Sequence, residues 1–294
     1  RSSRVTDCRD LRQVRQAGVL RLVTRVSPTT CVVERGGLNG FEYDLATEFA
    51  RRLGVRLELV IPPVERDPVE WLEEGYGDLL ALHEPATPSD ESRFLASTPY
   101  LEVDALAVGF EGREPAADGA GLAGRTIAAS RSLAELVELL PLDPPPHVLP
   151  LGAGADALTA LRELARGTAD VAIVDRHTVI LEVEDRAELV VGPVVLRDLP
   201  LVWMFNVSSP ELRREASRFL SAARTSGLLR QLVLSDLGSW TPHVPERLEP
   251  VPEGALSPYD EVLQWAGRTH SIDWRLLTAL MYEESRFDPD AIGP

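Results

Sequence analysis

The clearest periodic pattern in the chain runs from Phe41 to Leu53, where large apolar residues recur every four positions with alanines beside them. This spacing places the apolar side chains on one face of an α-helix. Gly54 follows directly and is typical of a helix C-cap. Residues 55–61 then alternate between apolar and polar types, which predicts a half-buried strand.

Similar helices and short apolar runs alternate along residues 18–237, behind a polar lead-in at 1–17. Alternation of this kind predicts an α/β fold with mostly parallel sheets. The predicted strands are 18–24, 55–61, 78–82, 105–110, 125–129, 147–149, 171–174, 189–191 and 201–207. The predicted helices are 41–53, 69–74, 130–140, 156–166, 209–224 and 227–237.

A short internal repeat divides this region into two parts. The segments GYGDLLAL at 75–82 and GTADVAIV at 167–174 follow one plan of turn and apolar strand. We therefore expect two α/β lobes of similar construction. The predicted lobe boundaries are 18–110 with 196–237 for lobe 1, and 111–195 for lobe 2.

Composition narrows the function classes. The chain has 294 residues and a net charge of −16, which argues against binding to nucleic acid. Its 30 basic residues are all Arg, so Schiff-base lysine chemistry is excluded. The sequence contains no apolar run long enough to span a membrane and no signal sequence behind its first residues, so an exported protein would be present here in a trimmed form.

Cys8 and Cys31 are the two cysteines. They could form a disulfide that ties the N-terminal segment to the region after the first strand, or remain two free thiols. Two cysteines this far apart, with five scattered histidines, match no zinc-binding spacing, so we expect no metal and no cofactor.

Three polar residues follow predicted strands at places where α/β folds bind ligands. His83 and Glu84 come after the strand at 78–82, and Asp175 comes after the strand at 171–174. Because ligands lie beyond the carboxyl ends of strands in such sheets, these side chains are candidates for a common cleft. Ordinary solvation of strand ends remains the alternative for each of them.

Residues of about 18–240 resemble the family-three periplasmic solute-binding proteins, which bind amino acids between two lobes. The resemblance implies a bilobed fold of the periplasmic-binding-protein type (type II). The segments that carry it are GFEYDLA at 40–46, RLGV at 52–55, Thr87-Pro88, Thr98-Pro99-Tyr100 and GTAD at 167–170 with Asp175.

One position departs from the amino-acid binders of this family. The residue three after the position of Thr87 is an arginine that holds the ligand carboxylate, whereas this chain has Asp90, with Arg93 nearby but off the pattern. A carboxylate there would repel a ligand carboxylate. Asp175 matches the acidic residue that meets a ligand amine. We therefore expect either a ligand with an exposed amine, such as a muropeptide or cell-wall peptide, or a regulatory lobe pair.

The Pro-rich segment 238–256 predicts an extended linker to a second module at 257–294. In this module the run IDWRLLTALMYEES predicts a helix with Leu280 and Glu284 on its apolar face. A carboxyl group on an apolar face has a raised pKa, as a general acid needs near neutral pH. A solvated charged helix end is the alternative.

The run IDWRLLTALMYEESRFDPDAIGP resembles the opening of the lytic transglycosylase catalytic domain. The resemblance implies an all-α, lysozyme-like domain, present only in part, in which Glu284 is the catalytic acid/base and Ser285 supports it. Membrane-bound lytic murein transglycosylases join the two modules found here. The resemblance therefore implies cleavage of the MurNAc–GlcNAc bond in peptidoglycan strands to 1,6-anhydromuramyl products, in the periplasm at the inner face of the outer membrane. A non-catalytic periplasmic binding or sensor protein is the alternative.

Overall fold

The computed structural model describes residues 7–34, 37–63, 65–113, 115, 119–152, 154–183, 186, 188–238, 257, 260, 263, 264 and 273–285. The helices are α1 Leu11–Ala17, α2 Phe41–Leu53, α3 Pro68–Glu73, α4 Pro88–Glu91, α5 Arg131–Glu138, α6 Ala157–Arg166, α7 Arg176–Glu182, α8 Pro210–Ser226, α9 Leu228–Asp236 and α10 Trp274–Ser285. The strands are β1 Val19–Val23, β2 Val32–Glu34, β3 Gly37–Asn39, β4 Arg56–Val60, β5 Leu79–Leu80, β6 Phe94–Ala96, β7 Leu101–Phe110, β8 Thr126–Ala129, β9 His147–Val148, β10 Val171–Asp175, β11 Leu189–Leu201 and β12 Met204–Asn206.

Lobe 1 is built on a five-stranded sheet in the order β4-β1-β5-β12-β6. Neighbouring residues of its strands enter different core clusters: Leu22 and Leu79 belong to one cluster, whereas Val23 and Leu80 belong to another. Because side chains alternate across a strand, this pattern means that both faces of the sheet are covered. The first cluster also contains Trp203, which is fully buried.

Lobe 2 repeats this plan on a sheet in the order β11-β7-β10-β8-β9. Here Ile127 and Ile173 belong to one core cluster, whereas Ala128 and Ala172 belong to a second. Every residue of β10 is buried, which is typical of a central strand covered on both faces. The expectation of two α/β lobes is confirmed.

The sheets correct two details of that expectation. Each sheet is mixed rather than mostly parallel, because β7 and β11 run antiparallel to their partners in lobe 2, as β12 does in lobe 1. β7 and β11 also pair with each other over their lengths in the lobe 2 sheet, with Leu101 opposite Leu201. Lobe 2 therefore spans about 101–201 rather than 111–195.

Helix α2 matches its predicted bounds, and Gly54 ends it in the left-handed region at φ 75°. The structure also contains elements that the sequence pattern did not predict, among them the β2–β3 hairpin, β6 and the short helices α4 and α7. The disulfide alternative is wrong, since both Cys8 and Cys31 are free thiols. Cys31 is buried, and this burial raises the pKa of its thiol.

Residues 241–294 form a second compact unit. Helix α10 confirms a helix at the predicted position, and Asp273 accepts a hydrogen bond from the backbone N–H of Arg275 (2.9 Å) at its start. Leu276 and Leu280 are 61% and 58% exposed, so this apolar surface of α10 faces solvent. Among the described helices, none is long and apolar enough to cross a bilayer.

Candidate functional site

A cleft lies where the carboxyl ends of strands from both lobes meet. Arg25 follows β1 and His83 and Glu84 follow β5 in lobe 1, whereas Asp175 ends β10 and Ser130 follows β8 in lobe 2. The cavity between these side chains measures about 30 Å³. This space suits a few waters, since pockets for small organic ligands usually measure about 300–1,000 Å³. The lobes therefore lie close together.

His83 is almost completely enclosed in the cleft wall, at 2% exposure. Its backbone has a φ of 56°, which is uncommon for a residue with a side chain. Its Nε2 lies 2.9 Å from Nδ1 of His177, so the two rings share a hydrogen bond between the lobes. Strained backbone at a buried polar residue is a feature that functional sites often show.

A fully buried carboxylate, Glu42, lies behind His83. The hydroxyl of Tyr100 and the indole N–H of Trp203 (2.9 Å) donate hydrogen bonds to its two oxygens. Oε1 of Glu42 also lies 3.4 Å from Nδ1 of His83, within ion-pair distance but outside hydrogen-bond geometry. Burial, and then the charge of Glu42, raise the pKa of Tyr100 well above its ordinary value.

His177 completes this chain of contacts from lobe 2. Burial and the adjacent His83 lower the pKa of His177 to about 4, although Asp175 acts in the opposite direction. The ring is therefore neutral at physiological pH, with a lone pair on one nitrogen.

Glu84 and Arg25 form an ion pair in the cleft wall, at 3.0 Å. Among the described residues, Oε2 of Glu84, Nε of Arg25 and Oγ of Ser130 are buried without a hydrogen-bond partner. Buried polar atoms nearly always have a partner, which is often water or a ligand. These three atoms therefore mark the polar part of the cleft.

Asp175 lines the cleft as predicted and also caps α7. Its carboxylate accepts hydrogen bonds from the backbone N–H (3.0 Å) and the hydroxyl of Thr178. An aspartate at this position satisfies an otherwise unpaired N–H of the helix. The same group thus shapes α7 and presents a negative charge to the cleft.

Asp90 is not a lining residue but part of a bridge between the lobes. It is 1% exposed, and Arg131 at the start of α5 donates to both of its oxygens at 2.9 Å. Burial alone would lower the pKa of Arg131, but Asp90 and then Asp67 raise it overall. Ser89, which donates to Glu135 of α5, adds a second bridge.

Arg93 does not belong to the cleft, which corrects the prediction for this residue. Its guanidinium pairs with the exposed Glu73 and lies 5.4 Å from the ring centre of Phe94. Glu284 and Ser285 lie in the last turn of α10, and their side chains are outside the described part of the structure. The predictions for these two residues therefore remain predictions.

The sequence did not reveal four residues that the fold brings to the site: Glu42, His177, Arg25 and Arg131. For Glu42 a signal exists, because it precedes Ala46, Ala50 and Leu53 on one helical stripe that includes buried residues. His177 is the second residue of the short helix α7, which has too few residues to show a periodic pattern.

The family model of bacterial extracellular solute-binding proteins, family 3, matches residues 20–235. The chain belongs to this family. Among solved structures, the family-3 fold is shared by a mutant of ArgBP from T. maritima, with a TM-score of 0.67 and 22% identity over 78% of this chain and 99% of that chain. An amino acid ABC transporter substrate-binding protein from Streptococcus pneumoniae, bound to L-arginine, has a TM-score of 0.67 and 21% identity over 77% and 97%.

Curated relatives extend the match beyond the family-3 region. A membrane-bound lytic murein transglycosylase F from Alcanivorax borkumensis is 30% identical over 97% of this chain and 62% of its own length. The protein of the same name from Ectopseudomonas mendocina is 30% identical over 96% of this chain and 59% of its own. The chain thus spans about three fifths of the length of these relatives.

Proposed function

We propose that the chain is the ligand-sensing part and the first catalytic segment of a peptidoglycan lytic transglycosylase. One observation supports this most. The alignment with the murein transglycosylase from Alcanivorax borkumensis covers 97% of the chain, although the family-3 region ends near residue 235. So high a coverage includes most of the second unit and α10.

Glu284 is the proposed catalytic residue. As an acid it protonates the glycosidic oxygen of the bond between MurNAc and GlcNAc, and the bond from the anomeric carbon to that oxygen breaks. As a carboxylate it then takes the proton of the C6 hydroxyl of the muramyl sugar, whose oxygen forms the new bond to the anomeric carbon. One carboxyl group serves both steps, because the first step leaves it as the base that the second requires.

The cleft is the proposed sensor. Asp175 offers a carboxylate to an amine, whereas Asp90 occupies the place of a carboxylate-binding arginine and is itself neutralised by Arg131. A ligand with an exposed amine, such as a muropeptide or cell-wall peptide, suits these charges better than a free α-amino acid. We place the protein in the periplasm, at the inner face of the outer membrane.

The test uses the longest natural form of the protein with purified peptidoglycan sacculi. Mass spectrometry should detect 1,6-anhydromuramyl products with the wild type and none with Glu284→Gln. Glu283→Gln is the matched control, because it removes a neighbouring carboxylate from the same helix, and it should retain activity.

A non-catalytic solute-binding or sensor protein is the second candidate. The family-3 match over residues 20–235 favours it, since that region contains a complete bilobed fold. Absence of anhydro products from folded wild-type protein would support this candidate and contradict the transglycosylase. Equal activity of Glu284→Gln and wild type would contradict the role given to Glu284.

A further inference from the structure

Three side chains of the kind that bind transition metals meet between the lobes. His83 comes from lobe 1, whereas Asp175 and His177 come from lobe 2. Their ligand atoms all lie within 4.8 Å of one another, and two of the three residues are buried. Imidazole nitrogens and a carboxylate oxygen are the ligand types of many zinc sites.

The distances suit a metal ion after the ligands adjust. The oxygen of Asp175 lies up to 4.8 Å from the ring nitrogens, so it has to approach them by up to about 1.5 Å to reach tetrahedral spacing. Nε2 of His83 and Nδ1 of His177 are 2.9 Å apart. Two nitrogens bound to one tetrahedral Zn²⁺ at about 2.0–2.1 Å would be about 3.3 Å apart, so the rings need to separate by only about 0.4 Å. The carboxylate of Asp175 already accepts two hydrogen bonds from Thr178, but each oxygen has a second lone pair.

The charge behind His83 also favours a cation. Glu42 is fully buried and receives hydrogen bonds from the neutral donors Tyr100 and Trp203. A buried carboxylate is costly without a nearby positive charge. Nδ1 of His83 is buried without a hydrogen-bond partner and lies 3.4 Å from Glu42. A small rotation of the ring on metal binding would let Nδ1 donate to Glu42, as metal-binding histidines commonly donate to a carboxylate.

We propose that His83, Asp175 and His177 form a binding site for a divalent transition metal, with Zn²⁺ as the best fit. Three protein ligands leave a fourth position for solvent or for a polar group of a cleft ligand, since His83 and Asp175 both line the cleft. The metal would also link the two lobes, because its ligands come from both. This proposal does not depend on the proposed transglycosylase activity.

The test is calorimetric titration of the untagged, chelator-treated chain with ZnCl₂. The expected result is one bound Zn²⁺ per chain, with affinity lowered by about tenfold or more in His177→Ala, as loss of a ligand or its support typically causes. His177 is only half-buried, so this variant should fold, and circular dichroism checks that it does. Co²⁺ is the second probe, because a tetrahedral site with nitrogen ligands gives it a visible absorption band.

His147→Ala is the matched control, since His147 is an exposed residue of the lobe 2 sheet far along the chain from the site. This variant should bind Zn²⁺ as the wild type does. Absence of binding by the wild type would overturn the proposal, and so would unchanged affinity in His177→Ala. Loss of binding in His147→Ala would place the metal elsewhere and would equally contradict the assignment.

Discussion

Glu42 shows how much one residue can determine in this fold. It lies in the first turn of α2, where an acidic side chain would ordinarily face water. Here it is fully buried and joins Tyr100, Trp203 and His83 in one network. The network connects α2 with two segments that cross toward lobe 2, so its geometry affects the cleft as well as the core.

Removal of one donor from this network should be costly. We expect Tyr100→Phe to lower the free energy of unfolding by about 1.5–3 kcal/mol, because the variant leaves an oxygen of the buried carboxylate without its hydrogen bond. Urea unfolding at neutral pH measures the change.

Tyr76→Phe is the matched control for this measurement. The ring of Tyr76 stacks on Trp71 with centroids 4.6 Å apart, and its hydroxyl has no hydrogen bond among the described residues. Its expected cost is below about 0.5 kcal/mol. Similar losses in the two variants would show that the Tyr100 hydroxyl contributes no more than a surface hydroxyl does.

Prediction of single site residues succeeded where the position of a residue after a strand determines its location. It failed where contacts with residues distant in sequence determine the role. His83, Glu84 and Asp175 were predicted from their places after strands, and all three line the cleft. Arg93 was predicted from its nearness in sequence to Asp90, yet its guanidinium turns to Glu73 instead. The partner of Asp90, Arg131, lies 41 residues further along the chain, so no local pattern reveals it.

At the scale of elements, Asp10 connects the beginnings of two helices. It caps α1 in a reciprocal capping box with Gln13. Its Oδ1 also accepts a hydrogen bond from the backbone N–H of Leu212 (2.7 Å) in the first turn of α8. Ser209 occupies the N-cap position of α8, but its hydroxyl donates to the carbonyl of Arg9 and does not cap the helix.

Loss of this double cap should destabilise lobe 1 more than loss of an ordinary cap. We expect Asp10→Ala to lower the free energy of unfolding by about 2–3 kcal/mol, since one helix cap contributes about 1 kcal/mol and this residue serves two helices. Asp10→Asn should recover most of the loss, because the amide oxygen can accept the hydrogen bonds that Oδ1 accepts from Leu11 and Leu212, and only the longer bond from Glu211 to Oδ2 (3.3 Å) is lost. Thermal and urea unfolding measure the stability of the wild type and the two variants. If Asp10→Asn lost as much stability as Asp10→Ala, this would contradict the capping role.

The strands show which element patterns can be predicted from sequence. The four-residue repeat of α2 is strong enough to define both of its ends. β11, by contrast, was predicted only over 189–191, because glycine, proline and charged residues interrupt its apolar pattern at 192–200. The structure keeps one strand there through register shifts after Val191, Val194 and Leu196. An edge strand tolerates such bulges and prolines, which a sequence pattern takes for its end.

At the scale of the whole molecule, the bridge between Asp90 and Arg131 gives the cleft its charge balance. The negative group that would otherwise repel a ligand carboxylate is paired within the protein itself. Under the proposed ligand chemistry, free α-amino acids lack a partner for their carboxylate, whereas an amine can approach Asp175.

Calorimetry should reflect this difference in ligand chemistry. We expect no micromolar binding of free amino acids and measurable binding of a muropeptide with an exposed amine. Asp175→Asn should weaken binding of the muropeptide, because it removes the negative charge that would contact the amine. The amide oxygen can still cap α7, so the fold should be preserved. Asp170→Asn, which alters an aspartate that accepts a hydrogen bond from Thr126 in the same lobe, is the control. Micromolar binding of any free amino acid would contradict the proposed ligand class. Absence of measurable binding by both the amino acids and the muropeptide would favour a purely structural lobe pair.

The presence of two lobes was predictable, because the short repeat of turn and apolar strand occurs at 75–82 and again at 167–174. The lobe boundaries were not predictable. β7 and β11 pair although Leu101 and Leu201 are 100 residues apart in the chain, and no local pattern in either strand indicates which sheet it joins. Pairing between distant strands depends on the complete fold rather than on local sequence.

Leu101 and Leu201 lie opposite each other where lobe 2 begins and ends. Lobe 2 is therefore one continuous stretch of chain whose two ends are neighbours, and lobe 1 is closed around the place where that stretch departs and returns. Segments with adjacent ends are the ones that proteins accept as insertions. Lobe 2 can therefore be exchanged as one segment. Replacement of this single stretch in the gene would join a different lobe 2 to the same lobe 1 and would give a different cleft.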